Sequence, residues 1–215
     1  MNSLSEATIS APPEKSKWAA AWPDLLAFLL GLAVARFSGW NTTDLVWSLW
    51  LSSLVVGYAI IVWTIYCSLE SSLARLAAGL GTLLFFTVHF GMFHFVHSVF
   101  LAQFFPLGDG QRNGMPGPEF YSEVFRSYWV WIPVALLAER LAFKRPSRLP
   151  GERPPDPGAG MMAPYKNVVR LHLLIFFFAF AHFAKVESFA VYAVVYVVYF
   201  FPWRLLFSRK TDAVS

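Results

Sequence analysis

The sequence predicts an all-α integral membrane protein, a bundle of about six transmembrane helices. Of its 215 residues, 57% are hydrophobic and only 14% are charged. Soluble domains contain roughly 25% charged residues, and a soluble domain of this size needs far more polar surface to stay in solution. The apolar residues also form runs of about 20 residues, which is the length that a helix needs to cross the hydrocarbon core. This composition argues against a soluble enzyme, a nucleic-acid-binding protein, a disordered chain and a disulfide scaffold.

The N-terminal half is predicted to contain a disordered polar tail and three spans. The tail is residues 1–17, and the first span, residues 18–37, begins with tryptophans of the kind that line a membrane interface. The second span is 45–66. The third and longest span is 76–105, and it ends where Pro106 stops the helix. A polar turn and a charged turn separate these spans.

The first span also has features of a signal peptide. Lys15 and Lys17 precede an apolar run, and residues 33–35 imitate a cleavage site. However, the preceding tail is long and contains prolines and acidic residues. We therefore expect the first helix to be retained.

The C-terminal half is predicted to contain three further spans. The fourth is 124–143, in which Pro133 predicts a kink. A basic, proline-rich loop, 144–166, follows it. The next 41 residues, 167–207, are apolar and would make one helix about 60 Å long, twice the thickness of the hydrocarbon core.

We expect this last apolar stretch to turn once, at the polar residues Lys185, Glu187 and Ser188. The turn divides the stretch into a fifth span, 168–184, and a sixth, 189–207. Residues 208–215 then form a short C-terminal tail.

The distribution of positive charge predicts the orientation. Six spans place both termini on one side, and thirteen of the 17 Lys and Arg residues lie on that side. The positive-inside rule assigns that side to the cytoplasm. The sequence therefore predicts a multi-pass protein of the bacterial inner membrane with both termini cytoplasmic.

All five histidines lie in predicted spans, His89, His94 and His97 in the third and His172 and His182 in the fifth. Ionisable side chains at membrane depth are costly and usually face the interior of the bundle. Imidazole is a common ligand of transition metals and of haem. The opposing interpretation is that each histidine donates a hydrogen bond between helices.

Helix geometry indicates which histidines can meet. The three histidines of the third span lie within one sector of about 140°, but His89 and His97 are about 12 Å apart along the axis. Because metal–nitrogen bonds are near 2.0–2.1 Å, these two residues cannot share one ion. We therefore predict His89 and His172 as a primary pair at similar depth, with His97 at a second level, beside His182.

Three motifs carry a resemblance to a known family. The third span contains His89-Phe90-Gly91-Met92-Phe93 followed by His97-Ser98. A later helix opens with Pro164-Tyr165-Lys166 and Leu171-His172, and the second span contains Trp47, Trp50 and Gly57. In these motifs the chain resembles an uncharacterised family of bacterial polytopic membrane proteins, a domain of unknown function.

The resemblance covers residues 20–207 and favours His89, His97 and His172 as site residues. The chain differs from the family pattern at Phe90, where the family has Tyr, and at Ser98, where it has Gly. Ser52-Ser53 stands where the family usually has Glu-Asn, so this chain lacks a buried carboxylate there.

Functions from three classes fit these observations. The first is a non-catalytic accessory or scaffold subunit in which histidines bond helices together. The second is an intramembrane protein that binds a transition metal or haem through His89, His97 and His172, for redox chemistry or metal handling. The third is a small proton-coupled transporter, although inverted repeats and broken helices are not evident. We expect the lipid bilayer and other membrane subunits as partners, and no binding to nucleic acid. The sequence leaves open whether the protein is an enzyme.

Overall fold

The structure, a computed structural model, describes residues 17–68, 73–108 and 115–144 and eight single positions nearer the C-terminus. Throughout these residues the chain is helical or in turns, and no strand occurs among them, as the predicted all-α class requires. Both predicted tails, the basic loop and the Lys185 turn lie outside the described residues, with four exceptions. Lys17 begins a helix, Lys144 directly follows the last 3₁₀ turn, and Pro164 and Tyr165 are helical. The predicted fifth and sixth spans also lie outside the described residues, apart from a few helical positions.

Three long helices cover the residues of the first three predicted spans. They are α1 (Lys17–Phe37), α2 (Thr42–Ser68) and α3 (Leu73–Phe104). The amphipathic helix α4 (Pro118–Tyr128) follows. It continues through a 3₁₀ turn (Trp129–Trp131) into α5 (Ile132–Ala138) and a second 3₁₀ turn (Arg140–Phe143).

The break between α4 and α5 has a local cause in Pro133. Proline has no N–H, so the carbonyl of Trp129 cannot accept the usual bond from the residue four positions later. Instead the N–H of Ile132 donates to the oxygen of Trp129, which is the tighter 3₁₀ pattern. The helix is thus interrupted one turn before the proline, close to the predicted kink.

The short connection between α1 and α2 is held by two capping motifs. Gly39, with φ of 62°, ends α1, and the N–H of Trp40 donates to the oxygen of Ala35 at 3.0 Å. At the start of α2, the N–H of Asn41 donates to Asp44 Oδ2 at 2.8 Å, and the N–H of Asp44 donates to Asn41 Oδ1 at 3.1 Å. This reciprocal pair is a capping box. The polar turn in the sequence therefore satisfies backbone groups at the ends of both helices.

Contacts at the helix ends show that consecutive helices run in opposite directions. At one end of the bundle, Arg140 pairs with Asp24 of α1, and Phe143 lies beside Trp63 of α2. At the other end, Trp47 of α2 donates a hydrogen bond to the oxygen of Phe105, just beyond α3. The main hydrophobic core lies near this second end and is formed largely by α2, the C-terminal end of α3 and α4.

Two of the described helices, α2 and α3, are long and apolar enough to cross a membrane by length and composition. They differ in environment, because 72% of the most apolar window of α2 is buried but only 17% of that of α3. A buried apolar helix also occurs at the centre of soluble proteins. The apolar side chains on the surface of α3 are therefore the more informative indication of a membrane protein.

Candidate functional site

The ring of Phe90 on α3 lies directly on Gly57 of α2. A Cβ atom added at Gly57 would lie 2.3 Å from Cζ of Phe90, so only glycine leaves room for the ring. The rings of Phe86 and Phe90 stack with centroids 4.3 Å apart, and Tyr58 packs edge-on against both. This contact brings the side of α3 that carries His94 against α2.

His94 lies one turn beyond Phe90 and is almost fully buried, with 1% of its surface exposed. Its Nδ1 is 3.1 Å from the backbone oxygen of Phe90, and its Nε2 is 3.3 Å from Ser53 Oγ on α2. Since a carbonyl oxygen only accepts, Nδ1 carries the proton and donates it to Phe90. In the neutral ring Nε2 then accepts a hydrogen bond from the hydroxyl of Ser53.

Two tryptophans of α2 form hydrogen bonds to the backbone at α3 and just beyond it. The indole N–H of Trp50 donates to the oxygen of His94 at 3.0 Å, and that of Trp47 donates to the oxygen of Phe105 at 2.9 Å. Both side chains are buried. Together with Ser53 and His94, these tryptophans give the interface between α2 and α3 three side-chain hydrogen bonds.

A second set of polar contacts lies about one turn beyond His94 along α3. The hydroxyl of Ser98 donates to the oxygen of Phe95 at 2.6 Å, so its oxygen accepts the hydrogen bond from Tyr121, at 2.7 Å. The Tyr121 ring also stacks on Trp50, with centroids 5.9 Å apart. Helix α4 is thereby joined to the same cluster as α2 and α3.

The structure places the histidines of α3 in two environments. His94 and His97 are buried, with ring centroids 6.3 Å apart, whereas His89 is exposed. The predicted partners His172 and His182 lie outside the described residues. The predicted metal or haem role of His89, His97 and His172 therefore stays a prediction.

The arrangement of His94 is suited to joining helices. Its Nδ1 proton is donated to a carbonyl and its Nε2 lone pair accepts from Ser53, so neither nitrogen is open to a metal ion in this arrangement. Within the described ranges, no group of three or more His, Cys, Asp or Glu side chains is placed to hold a metal ion.

Four residues that join His94 in the contacts between α2, α3 and α4 were not predicted as site residues: Trp50, Ser53, Ser98 and Tyr121. A signal for two of them was present, because Trp50, Ser53 and Gly57 are spaced by three and four residues and so lie on one face of a helix. Tyr121 has no comparable signal, since its contact depends on how the loop before α4 returns the chain to α3.

Comparisons with known proteins show a family without an assigned function, which is the broader part of the resemblance. No curated protein and no solved structure matches the chain. One protein family matches residues 10–201, nearly the whole length, and no function is assigned to it. The chain belongs to this family, described as Family of unknown function (DUF6498).

Proposed function

We propose that the protein is a multi-pass scaffold or accessory subunit of the bacterial inner membrane, with six spans and both termini in the cytoplasm. The asymmetric distribution of Lys and Arg supports this orientation. The alternating directions of the described helices are consistent with it. The apolar, exposed surface of α3 supports contact with lipid or with other membrane subunits.

The observation that carries the scaffold role is the hydrogen bonding of His94. Both of its ring nitrogens are occupied, one by the backbone of α3 and one by Ser53 of α2. Inside a bilayer, where water is scarce, polar groups must find partners within the protein, and such bonds hold helices together. His94 therefore acts as a connection between two helices rather than as a reactive group.

The test compares His94→Leu with His94→Gln in the full chain purified in mild detergent. We expect His94→Leu to lower the melting temperature, because the shape is roughly kept but Ser53 loses its acceptor. His94→Gln retains a donor and an acceptor and should recover part of the loss. Absorption spectra and metal content should be the same in all three proteins.

A histidine at the surface of the same helix provides the matched control. His89→Leu should leave the melting temperature nearly unchanged, because His89 is exposed. A haem spectrum or stoichiometric metal in the wild-type protein that disappears in the His94 variants would contradict the scaffold role.

A further inference from the structure

His89 occupies an unusual position for an ionisable residue of a membrane helix. It lies halfway along α3 (Leu73–Phe104), and its side chain is exposed. Neither ring nitrogen forms a hydrogen bond with any of the described residues, in contrast to those of His94. A neutral imidazole carries one N–H donor and one acceptor nitrogen, and hydrocarbon satisfies neither.

Three aromatic rings of the described residues pack around this imidazole. The Phe85 ring stacks nearly parallel to it, with centroids 5.5 Å apart and planes inclined by 12°. Phe93 lies one turn further along the helix, and its ring centroid is 5.1 Å from that of the imidazole. The Tyr165 ring packs edge-on against the imidazole, with centroids 5.6 Å apart. Phe85 and Phe93 are themselves exposed. The imidazole therefore lies on a largely aromatic surface.

The chemistry of this surface defines the ligand that it can bind. An acceptor bonded to the imidazole N–H lies in or near the plane of the imidazole ring. Because Phe85 is parallel to that plane, a flat ligand held in this way can also lie parallel to Phe85. The neighbours Val88 and Met92 are apolar and exposed, so the surroundings favour an uncharged ligand that dissolves in hydrocarbon.

We propose that His89, Phe85 and Phe93 form a binding site, open to the bilayer, for a planar lipid-soluble compound with a carbonyl acceptor, of the quinone class. A quinone supplies a carbonyl acceptor for the imidazole N–H, which has none among the described residues, and its ring supplies a flat face parallel to Phe85. The Phe93 ring, inclined by 51° to the imidazole, meets the ligand at an angle. The inference rests on the membrane placement in the proposed function, but not on the scaffold role.

The experiment uses the full chain in lipid nanodiscs and a photoreactive azidoquinone, with decylubiquinone as competitor. We expect the label to map to the α3 segment around His89 and to fall at least five-fold with excess decylubiquinone. His89→Phe keeps an aromatic ring but removes the hydrogen bond, so labelling should fall to the level seen with competitor. His89→Gln retains an N–H donor and should restore part of it.

Two phenylalanines of equal exposure provide a control for the stacking contact. Phe85 and Phe100 are 54% and 53% exposed on the same helix, but along the axis Phe100 is about 16 Å from His89, whereas Phe85 is about 6 Å from it. Phe85→Leu should therefore weaken labelling several-fold, and Phe100→Leu should leave it unchanged. Equal labelling of both variants would overturn the proposal.

Other outcomes separate this proposal from its alternatives. Labelling that is absent, or that survives His89→Phe, overturns the quinone site. A wild-type dimer that dissociates in His89→Phe, with unchanged labelling, assigns His89 to contact with a second copy instead. Extraction of the protein from membranes by alkaline carbonate would contradict the membrane placement itself, and thus distinguishes failure of the proposed function from failure of the site.

Discussion

The hydroxyl of Tyr128 donates a hydrogen bond to Asp44 Oδ1 at 2.8 Å, joining the last residue of α4 to the first turn of α2. The other carboxylate oxygen of Asp44 accepts from the N–H of Asn41, in the capping box that starts α2. One carboxylate therefore serves both the helix cap and the contact with α4. Trp40, in the turn before α2, packs edge-on against the same tyrosine.

We expect Tyr128→Phe to lower the free energy of unfolding by about 1.5–3 kcal/mol, the range for a hydrogen bond to a charged group. Asn41→Ala should lower it by about 1 kcal/mol, since it removes only a cap. In a double-mutant cycle measured by thermal unfolding in detergent, Tyr128→Phe should have little further effect once Asp44 is Ala. A full additional loss in that background would show that Tyr128 stabilises the fold through something other than Asp44.

Gly57→Ala should be among the most destabilising single substitutions in α2. The new Cβ would lie 2.3 Å from Cζ of Phe90, and the aromatic ring is held by Phe86 and Tyr58. Forcing a methyl group into a close-packed contact costs about 1–3 kcal/mol. The melting temperature in detergent measures the loss, and Phe90→Leu should recover part of it in the double variant.

Gly81→Ala in α3 is the matched comparison for Gly57. A Cβ at Gly81 would meet nothing within 4 Å, and alanine is favoured over glycine in a helix. The melting temperature of Gly81→Ala should therefore stay the same or rise slightly. If both substitutions destabilise equally, the contact between Gly57 and Phe90 is not the cause.

The helices could be predicted well where the information is local. Hydropathy located α1 to α3, and Pro133 indicated the interruption near Trp129, because a missing N–H acts within its own helix. The start of α4 at Pro118 was not predicted. Its first two turns contain Glu119, Ser122 and Glu123, so the segment is amphipathic and more polar than a typical transmembrane span.

The environment of each histidine was harder to predict, because it depends on another helix. The spacing of His89, His94 and His97 shows that they share a sector of α3, but not which edge of that sector meets α2. Gly57 and Trp50 decide this by admitting the Phe90 ring and by bonding to the backbone of His94. As a result His94, ranked below His89 from the sequence, is the more buried of the two.

The ion pair between Arg140 and Asp24 should fix the end of the α5 segment against α1. Both side chains are largely buried, and Arg140 also donates to the oxygen of Leu137 at 3.2 Å. We expect Asp24→Asn to lower the free energy of unfolding by about 1 kcal/mol. The exchanged double variant Asp24→Arg with Arg140→Asp should be more stable than either of its single variants. Absence of such recovery would show that the pair does not couple the two helices.

The six-span topology predicts opposite sides for two loops, which cysteine labelling can test. The chain has one cysteine, so Cys67→Ala gives a background in which Gly114→Cys and Gly160→Cys are each the only thiol. In intact cells, a membrane-impermeant maleimide should label position 114 on the outer side of the inner membrane once the outer membrane is opened. Position 160 should react only after the inner membrane is broken, because thirteen of the 17 Lys and Arg residues predict a cytoplasmic side there. Labelling of both positions from the same side would refute the topology, and an intact mass lacking the first 35 residues would refute the retained first helix.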